Sequence, residues 1–342
     1  MARATIEDVA RQAEVSVATV DRVLNGRAAV RAQTVERVEG AIRLLNYQPD
    51  RLAARLARGK EYRFCFVLPE GNNSFMINLG EEVRAAALRM NPEKVTIDMR
   101  LTDVFEAETL ARALDQIGDI YDGVAVVALD HPRVKEAING LTERGVTVVT
   151  LVSDVPGSKR AHYVGIDNSA AGRTAATLMG RYLGKRHGKV GLIAGSLSLR
   201  DHIERQFGFE QVMMHEHPNL TVLPVREARD DWQKVEAVAA QLLTEHPNLI
   251  GIYNVGAGTR GIVSALDAAG RQKTVVYIAH ELTEQSRRAL VDGGIDAIII
   301  NQDPGHEVRS AIRVLMAKAD NAPIVEAMER IRIDIFVRDN LP

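Results

Sequence analysis

The chain has 342 residues, of which 46% are hydrophobic and 26% charged, the composition of a soluble globular protein. This length exceeds one ordinary domain, and no apolar stretch approaches the roughly 18 residues of a membrane span, which excludes a membrane protein. The net charge of −2 is unevenly divided, because residues 1–60 carry a net charge of +4 and the remainder −6. A basic start on an acidic body favours phosphate contacts by the first segment alone.

Two features of the sequence concern the cellular compartment. Cys65 is the only cysteine, so no internal disulfide can form, and its apolar strand pattern predicts a buried, unreactive thiol. Residues 1–5 lead directly into a helical pattern and lack the apolar core of a signal peptide. We therefore expect a cytoplasmic protein, since the cytoplasm keeps thiols reduced.

The first sixty residues predict three short helices. The first spans Thr5 to Ala13 and opens on a capping threonine, with acidic residues in its first turn. After a break at Glu14–Ser16, a second helix runs from Val17 to Leu24, and a third runs from about Gln33 to Leu45. Two short helices joined by a tight turn and braced by a third can place the second helix in the major groove of DNA.

The second of these helices has an inward and an outward face. Val20, Val23 and Leu24 recur with helical spacing and are expected to close a small core. The opposite face is left available to DNA, and it carries Val17, Ala18, Asp21 and Arg22.

The spacing of residues in this first segment also carries a family resemblance. The pattern reads Thr5-x-x-Asp8-Val9-Ala10-x-x-Ala13-x-Val15-Ser16-x-x-Thr19-Val20-x-Arg22-Val23-Leu24-Asn25-Gly26. It resembles the head of the lactose-repressor (LacI/GalR-type) transcriptional regulators. Tyr47-x-Pro49, followed by Ala53 and Leu56, resembles the hinge of that family. The resemblance is dense over residues 5–60, and looser but collinear over the rest of the chain.

The resemblance implies particular DNA contacts. Arg22 matches a base-reading position and suits a bidentate contact to guanine, whereas Val17 and Ala18 offer only apolar contact. Leu56 matches a leucine that the family wedges into the minor groove, which kinks the duplex. Ser16, Thr19 and Asn25 match positions that contact phosphates and set register. The full set of expected DNA-binding residues is Thr5, Ser16, Val17, Ala18, Thr19, Asp21, Arg22, Asn25, Ala53 and Leu56.

Three positions depart from the family pattern. Glu14 replaces a usual glycine in the turn, and a left-handed conformation there costs a non-glycine residue about 1 kcal/mol. Asp21 places a negative charge on the face that meets DNA, and Arg31 stands where a capping residue is usual. These departures leave the operator sequence open.

From residue 61 onward, short β-rich runs alternate with helical periods, which predicts right-handed βαβ units and parallel sheets. The strands are expected near 62–68, 95–101, 124–128, 146–151, 162–166, 189–194, 220–225, 249–254, 274–278 and 295–300, with early helices near 79–91, 106–118 and 132–144. This number of strands suggests two lobes, with near-continuous apolar runs typical of strands covered on both faces.

The fold class expected is an all-α helix-turn-helix head followed by a two-lobed α/β body with parallel, Rossmann-like sheets. The resemblance implies that the body is like a periplasmic binding protein, with an effector held between its lobes. The expected domains are a DNA-binding head at 1–46, a hinge at 47–60, and an effector-binding body at 61–342, in which the N-lobe takes about 61–165 and 297–325 and the C-lobe about 166–296 and 326–342.

Polar residues follow many of the predicted strands, at the edge where open α/β sheets bind ligands. Such amides, carboxylates and a histidine, with a phenylalanine for stacking, suit a hydroxyl-rich or amine-bearing small molecule, and the resemblance favours a sugar, polyol or related metabolite. The resemblance also implies an effector-binding arginine, and the spacing leaves Arg200 and Arg205 both open. The expected effector-binding residues are Asn73, Phe75, Asp130, Asp154, Asp167, Arg200, Arg205, Asn254, His280, Glu281 and Gln302.

Two alternative functions compete with a regulator. The run from Gly256 to Gly261 satisfies G-x-G-x-x-G after a predicted strand, and Glu281 lies about 20 residues further on, as in an NAD(P)-dependent oxidoreductase. Close packing of a helix on a strand is a simpler explanation of these glycines. Among the expected effector-binding residues, Asp167 has a similar simpler explanation, because an aspartate before a helix commonly caps it. A solute-binding protein shares the expected body, but it would need an export signal and no basic head.

The sequence therefore predicts a homodimeric transcriptional regulator, most simply a repressor, that reads a pseudo-palindromic operator in double-stranded DNA. The hinge is expected to order on the operator, so that lobe geometry decides whether it forms. The chain ends without a heptad tail, which favours a dimer over a tetramer. We expect no cofactor, no catalytic activity and no metal, because the nine histidines lack ligand spacing.

Overall fold

The computed structural model describes residues 4–24, 30–45, 47, 61–280, 282–299, 303–329 and 331–341. Internal contacts divide the chain into two units, Met1–Glu61 and Tyr62–Pro342. Among the described residues, no helix combines the length and apolarity that crossing a membrane requires. The predictions that lie outside the described residues concern the hinge from residue 48 onward, Asn25, Ala53, Leu56, Glu281 and Gln302.

The first unit contains helices α1 (Ile6–Gln12), α2 (Val17–Leu24) and α3 (Ala32–Leu44), as the spacing predicts. Thr5 caps α1 through a reciprocal box, in which the Asp8 N–H donates to Thr5 Oγ1 at 3.2 Å and the Thr5 N–H donates to Asp8 Oδ2 at 2.9 Å. The small core is centred on the fully buried side chains Val9, Val20 and Val38, one from each helix.

The turn between α1 and α2 contains the expected left-handed residue. Glu14 has a φ of +52°, and the Val15 N–H that follows it donates to the Ala10 carbonyl at 3.0 Å. Arg31 is the N-cap of α3 and makes no capping hydrogen bond with its side chain. Both departures from the family pattern therefore leave the three-helix arrangement intact.

The second unit begins with a parallel sheet of five strands in the order β2-β1-β3-β4-β5. Its strands are β1 (Tyr62–Pro69), β2 (Val95–Thr102), β3 (Gly123–Val126), β4 (Thr147–Leu151) and β5 (His162–Val164). Cys65 is fully buried in β1, and burial raises the pKa of its thiol to about 11, as expected for an unreactive cysteine. The interior strands are covered on both faces, which explains their unbroken apolar runs.

A second sheet of seven strands follows, in the order β12-β11-β10-β9-β6-β7 with β8 also paired to β6. Its strands are β6 (Gly188–Ala194), β7 (Leu220–Val222), β8 (Arg226–Glu227), β9 (Leu249–Asn254), β10 (Val276–His280), β11 (Ala297–Ile299) and β12 (Ile335–Phe336). All pairs are parallel except β11 with β12. The sequence analysis did not predict the two-residue strands β8 and β12.

The strand β11 corrects the expected division of the chain. The sequence predicts that residues 297–325 belong to the N-lobe, but β11 pairs with β10 in the second sheet. The chain returns to the first sheet with the helix Pro304–Ala319, which packs on β3, β4 and β5. The crossing therefore lies between residues 299 and 304 instead of near 297.

Helices cover the faces of both sheets. In chain order they are α4 (Ser74–Met90), α5 (Ala107–Asp115), α6 (Pro132–Glu143), α7 (Asn168–Leu183), α8 (Arg200–Glu216), α9 (Trp232–Glu245), α10 (Thr259–Ala268), α11 (Glu284–Asp292), α12 (Pro304–Ala319) and α13 (Glu326–Glu329). Helix α4 begins earlier than the predicted residue 79, because the Asn73 side chain accepts hydrogen bonds from the backbone N–H groups of Phe75 and Met76.

Helices α7 and α8 pack with their backbones unusually close. A Cβ atom at Gly172 would overlap the backbone carbonyl of Arg205, and one at Gly208 would overlap that of Ser169. The glycines thus permit a contact that any side chain would prevent.

We predict that Gly172→Ala destabilises the protein by about 1–3 kcal/mol, because the two helices must separate to admit the methyl group. The matched control is Gly140→Ala within α6, where only the end of the Arg144 side chain lies within 4 Å of an added Cβ. The control should raise stability by about 0.5–1 kcal/mol, since alanine favours a helix over glycine. Urea unfolding measures both, and equal effects would contradict the packing argument.

Candidate ligand cleft and nucleic-acid interface

The outward face of α2 is exposed, as the helix pattern predicts. Val17, Ala18 and Arg22 are exposed, and Asp21 is half-buried. The face is therefore accessible to a partner along two turns of helix. Whether these side chains touch bases stays a prediction from the resemblance.

The start of α2 is organised by two hydroxyl side chains. Ser16 Oγ accepts a hydrogen bond from the Thr19 N–H at 3.2 Å, and the two hydroxyl oxygens lie 2.9 Å apart. Ser16 thus caps the helix. Thr5 has an equivalent capping role at α1. Three of the predicted DNA-binding residues, Thr5, Ser16 and Thr19, therefore make hydrogen bonds at the start of a helix.

In the second unit, a cavity of about 350 Å³ lies where loops of the first sheet face loops of the second. These loops follow the carboxyl ends of the strands, the edge at which α/β sheets bind ligands. The wall from the first sheet consists of Pro69, Glu70, Gly71, Asn72, Asn73, Met76, Asp103, Val104, Phe105, Val127, Val152 and Ser153, and the wall from the second consists of Leu199, Asp201, His202, Arg229, Asp230, Asp231 and Lys234.

Asp201 is the most unusual polar residue of this wall. It lies in the first turn of α8, and only 4% of its surface is exposed. Its Oδ2 lies 3.6 Å from His202 Nε2 and 3.8 Å from Arg205 Nη2, whereas its Oδ1 has no hydrogen-bond partner. The cavity wall therefore includes a buried carboxylate, one of whose oxygen atoms has no hydrogen-bond donor.

His202 is held in place beside this carboxylate. Its Nδ1 lies 3.2 Å from the Ser196 backbone nitrogen and 3.1 Å from the Ser196 carbonyl oxygen, and its Nε2 lies 3.6 Å from Asp201 Oδ2. A Cβ atom added at Gly195 would overlap the Asp230 carboxylate and the His202 ring, so glycine at this position makes room for both side chains. His202 is one of two histidines that the sequence suggests for the cleft, whereas Asp201 is not among the residues predicted for the site, although the two form an acid–histidine pair just after β6.

Three sets of polar contacts cross the cleft between the loops of the two sheets. Arg229 donates to Asp103 Oδ2 at 2.9 Å and to Glu106 Oε1 at 3.2 Å, and its guanidinium lies 5.1 Å from the Phe105 ring centre. Farther along the cleft, Asn72 donates to Asp231 at 3.1 Å and Asn73 donates to Asp230 at 3.4 Å.

The loop that carries these second-sheet contacts has an uncommon backbone. Arg229 and Asp230 have consecutive positive φ angles of +50° and +55°. Asp230 Oδ1 also accepts a hydrogen bond from the Ala257 N–H at 2.9 Å, which fixes the carboxylate at the end of β9. The loop is thereby bonded to both sheets.

Of the predicted effector-binding residues that the structure describes, Asn73 and no other lies in the cavity wall. Phe75 is buried in the hydrophobic core that covers the first sheet, so it does not face the cavity as the expected stacking ring. Asp154 binds the Arg160 guanidinium and the Thr150 hydroxyl. Asp167 caps α7 by accepting from the Ala170 N–H at 2.8 Å, the simpler role that its position already allowed.

The two arginines that the sequence left open differ in their surroundings. Arg205 is buried, and it donates to Asn168 Oδ1 and to the Val255 carbonyl, both at 2.9 Å. Arg200 is half-exposed, pairs with Glu204 at 2.7 Å and lies 3.8 Å from Asp130. Neither arginine is part of the cavity wall.

Two further predicted residues lie within the second sheet. Asn254 is fully buried and donates to the Ala257 carbonyl at 3.1 Å, while its Oδ1 has no hydrogen-bond partner. His280 Nε2 lies 2.6 Å from the Tyr253 hydroxyl, and both rings are buried. Both side chains are buried, and neither is part of the cavity wall.

The glycine-rich run after β9 is explained by packing. A Cβ at Gly256 would overlap the Asp230 carboxylate, and one at Gly261 would overlap the Trp232 carbonyl. Gly258 has a φ of +88° at the N-cap of α10. The protein's own atoms thus fill the space beside the glycines, which favours the packing interpretation over a dinucleotide site. Within the described ranges, no group of three potential metal ligands is found.

Comparison with known proteins agrees with this division into a helical head and a two-lobed α/β body. Residues 64–323 match the Periplasmic binding protein domain, and residues 5–50 match the bacterial regulatory proteins of the lacI family. These matches define a binding-protein body joined to a head of the type found in lacI-family regulatory proteins. The chain belongs to the periplasmic binding protein domain family, whose model matches more than half of its length.

Individual proteins that resemble this chain share at most about a third of its residues over the longer alignments. Catabolite control protein A of Priestia megaterium is 26% identical over 225 residues, which cover 66% of this chain and 64% of that protein. Its counterpart in Streptococcus mutans serotype c is 30% identical over 193 residues, covering 56% of this chain and 55% of that protein. The chain therefore spans 64% and 55% of the length of these two relatives.

Solved structures share the fold of the body. GanP, a glucose-galactose binding protein from Geobacillus stearothermophilus, has a TM-score of 0.72 and 21% identity, covering 83% of this chain and 99% of that chain. A solute binding protein from Burkholderia graminis in complex with D-arabinose has a TM-score of 0.73 and 23% identity, covering 82% of this chain and 96% of that chain. At these identities the likeness concerns the fold alone.

We predict that Arg205→Ala destabilises the protein by about 3–5 kcal/mol, because it leaves the buried Asp201 carboxylate without its arginine. Arg200→Ala is the matched control and should cost at most about 1 kcal/mol, since its ion pairs are half-exposed. Urea unfolding of the full chain measures both. Equal losses would show that the buried contacts of Arg205 contribute no more than a surface pair.

Proposed function

We propose that this protein is a sequence-specific DNA-binding transcriptional regulator, acting as a repressor, whose operator affinity is controlled by a small molecule in the cleft. The observation that carries the proposal is the combination, in one chain, of an exposed recognition-type helix and a ligand-sized cavity with an unsatisfied buried carboxylate. A non-enzymatic role is part of the proposal. Because bacterial chromosomal DNA lies in the cytoplasm, the proposal also places the protein there.

A sugar or polyol is the proposed effector class. The cavity wall offers carboxylates, amides and a histidine, which suit a molecule rich in hydroxyl groups. The similar solved structures include proteins named for binding glucose, galactose or arabinose, which supports this choice.

Control is proposed to act through the arrangement of the two lobes. An effector bound between loops of both sheets favours one arrangement by its differential affinity. The contacts of Arg229 with Asp103 and Glu106 already link those loops, so an effector adds to or competes with an existing connection. In a two-fold dimer, the lobe arrangement then sets the spacing of the two DNA-binding heads.

We propose that the dimer forms through the exposed face of α4. Ile77, Glu81, Arg84 and Leu88 are exposed and lie on one stripe of this helix. Along the helix, the four side chains of the stripe are apolar, acidic, basic and apolar. A two-fold axis through the midpoint of the stripe would therefore place Ile77 of one copy opposite Leu88 of the other, and Glu81 opposite Arg84. Such self-complementarity is what an isologous two-fold interface requires.

The surroundings of the stripe support a second copy of this chain as its partner. Neither Glu81 nor Arg84 forms an ion pair with another described residue, so both charges are available for pairing. Leu101, which is 54% exposed on the edge strand β2, extends the apolar area beside the helix.

The dimer proposal predicts a charge-swap result. Glu81→Arg and Arg84→Glu should each weaken the dimer by placing like charges opposite one another, and the double variant should restore it. Sedimentation velocity over a concentration series measures the monomer–dimer equilibrium. A double variant that dimerises no better than either single variant would exclude this face.

The DNA proposal predicts that Arg22→Ala reduces affinity for a selected operator by about 1–3 kcal/mol, because it removes one bidentate base contact. The operator is first selected from a random duplex library with the unaltered chain. Arg43→Ala, an exposed arginine on α3, is the matched control for the loss of one positive charge. Fluorescence anisotropy measures binding, and equal effects of the two changes would argue against base reading by Arg22.

A further inference from the structure

We propose that the exposed face formed by helices α7 and α8 is an interface at which a second copy of this chain docks about a two-fold axis. This face is separate from α4, because α7 and α8 cover the second sheet and α4 packs on the first. Two dimers joined in this way form an assembly of four chains, for which no C-terminal heptad tail is needed. The inference goes beyond the regulatory function proposed above and does not depend on it.

Helix α8 carries a stripe of large apolar side chains that remain exposed. Ile203, Phe207 and Met214 are 37%, 63% and 70% exposed. Their spacing of four and then seven residues places them on one line along the helix, on the side opposite the buried residues Phe209 and Val212. Two helices pack along a stripe with this spacing. Single exposed apolar residues are common, but three on one line indicate an interaction surface.

Helix α7 lies beside α8 and runs in the same direction. A Cβ atom added at Gly172 would meet the Arg205 carbonyl, and one added at Gly180 would meet the His217 ring, so the contacts advance together along both helices. The helices have 16 and 17 residues. Side by side they present a face of roughly 500 Å² in projection. That area approaches the roughly 800 Å² of accessible surface that each partner contributes to a stable interface.

A two-fold axis halfway along the stripe pairs its apolar side chains. The midpoint between Ile203 and Met214 falls at residues 208 and 209 of α8. An axis at this point, perpendicular to the helix, places Ile203 of one copy opposite Met214 of the other. It also brings the two Phe207 rings together on either side of the axis. The centre of the interface is therefore apolar, as in stable protein interfaces.

The same axis pairs opposite charges on α7. Asp167 and Arg181 are exposed, and neither forms an ion pair with another described residue. Residue 174 lies midway between them, and the neighbouring Arg173 nitrogen is 3.1 Å from a Cβ added at Gly208. The midpoints of the two helices thus lie side by side, so one axis also places Asp167 of one copy opposite Arg181 of the other. Such self-complementarity is required of an isologous interface.

The axis also brings one pair of like charges together. Arg173 is exposed and lies close to the midpoint of the face, so the Arg173 side chains of the two copies approach each other. Like charges opposite one another across an interface oppose association. This repulsion keeps the contact weak, and it distinguishes a two-fold contact from non-specific adhesion of an apolar surface.

The first test replaces the side chain at the centre of the apolar stripe. Phe207→Lys should weaken the association at least about 30-fold, because an aromatic anchor at the centre of an interface is lost. Val291→Lys is the matched control, since Val291 is 52% exposed on α11, outside this face. Sedimentation velocity over a concentration series measures both in the full chain carrying Glu81→Arg, which weakens the proposed α4 dimer. Circular dichroism checks the fold of each variant.

The second test makes the same substitution at two arginines of α7. Arg181→Gln removes the partner of Asp167 and should weaken the association about 3- to 10-fold, since two exposed ion pairs are lost in each interface. Arg173→Gln removes the repulsion at the axis and should strengthen the association by a similar factor. Sedimentation velocity in the same Glu81→Arg chain measures both. Opposite effects on one helix are the signature of the two-fold geometry.

Three results would overturn the inference: no association of the Glu81→Arg chain, an association that Phe207→Lys leaves unchanged, or effects of Arg173→Gln and Arg181→Gln in the same direction. The α4 dimer fails or stands separately, because its charge swap does not involve α7 or α8. The regulatory function is likewise tested by operator binding and not by this association.

Discussion

The buried guanidinium of Arg205 is the contact on which the ligand edge of the second sheet depends. It bonds to Asn168 at the start of α7 and to the Val255 carbonyl after β9, and it lies beside Asp201 on α8. A buried cation must have its donors satisfied, so these three elements are held in one arrangement. That arrangement places the Asp201 carboxylate in the cavity wall, and the close packing of α7 on α8 leaves it little freedom to move.

The cleft is a joint product of both sheets, and its polar contacts explain how a small ligand can influence the whole body. Loops of the first sheet supply Asp103 and the two asparagines, and the loop after β8 supplies Arg229 and the two aspartates that meet them. A ligand in this space contacts both lobes at once. Its binding free energy therefore depends on their separation, which is the requirement for a regulator that responds to lobe geometry.

The periodicity of hydrophobic residues predicts much of the fold, but it does not predict most of the residues that line the cleft. The helical spacing of Val20, Val23 and Leu24 predicts the second helix of the head, because a helical face is visible in a single sequence, and Val20 is fully buried in the structure. Strands such as Leu249–Asn254 were equally clear. Two-residue strands have no period to detect, so Arg226–Glu227 and Ile335–Phe336 were missed.

The site was harder because position at a strand end does not reveal where a side chain points. Asn73 and Asp167 both follow strands, and both cap helices, but the first alone lines the cavity. Phe75 has the right neighbours in sequence and turns into the core. The sequence does not single out Asp201, because acidic residues are common in the first turn of a helix, where they are stabilised by the helix dipole. Its burial and its unpaired oxygen emerge only from the packing around it.

The backbone at Arg229 and Asp230 adopts a conformation that is unfavourable for residues with a side chain. Both residues adopt left-handed φ angles, at a cost of roughly 1–2 kcal/mol for each residue with a side chain. Glycine would relieve that cost at either position, but it would also delete the guanidinium or the carboxylate that joins the lobes. Local conformational preference and long-range bonding are thus in conflict at this loop, and a substitution that relaxes the backbone also removes a contact between the two sheets.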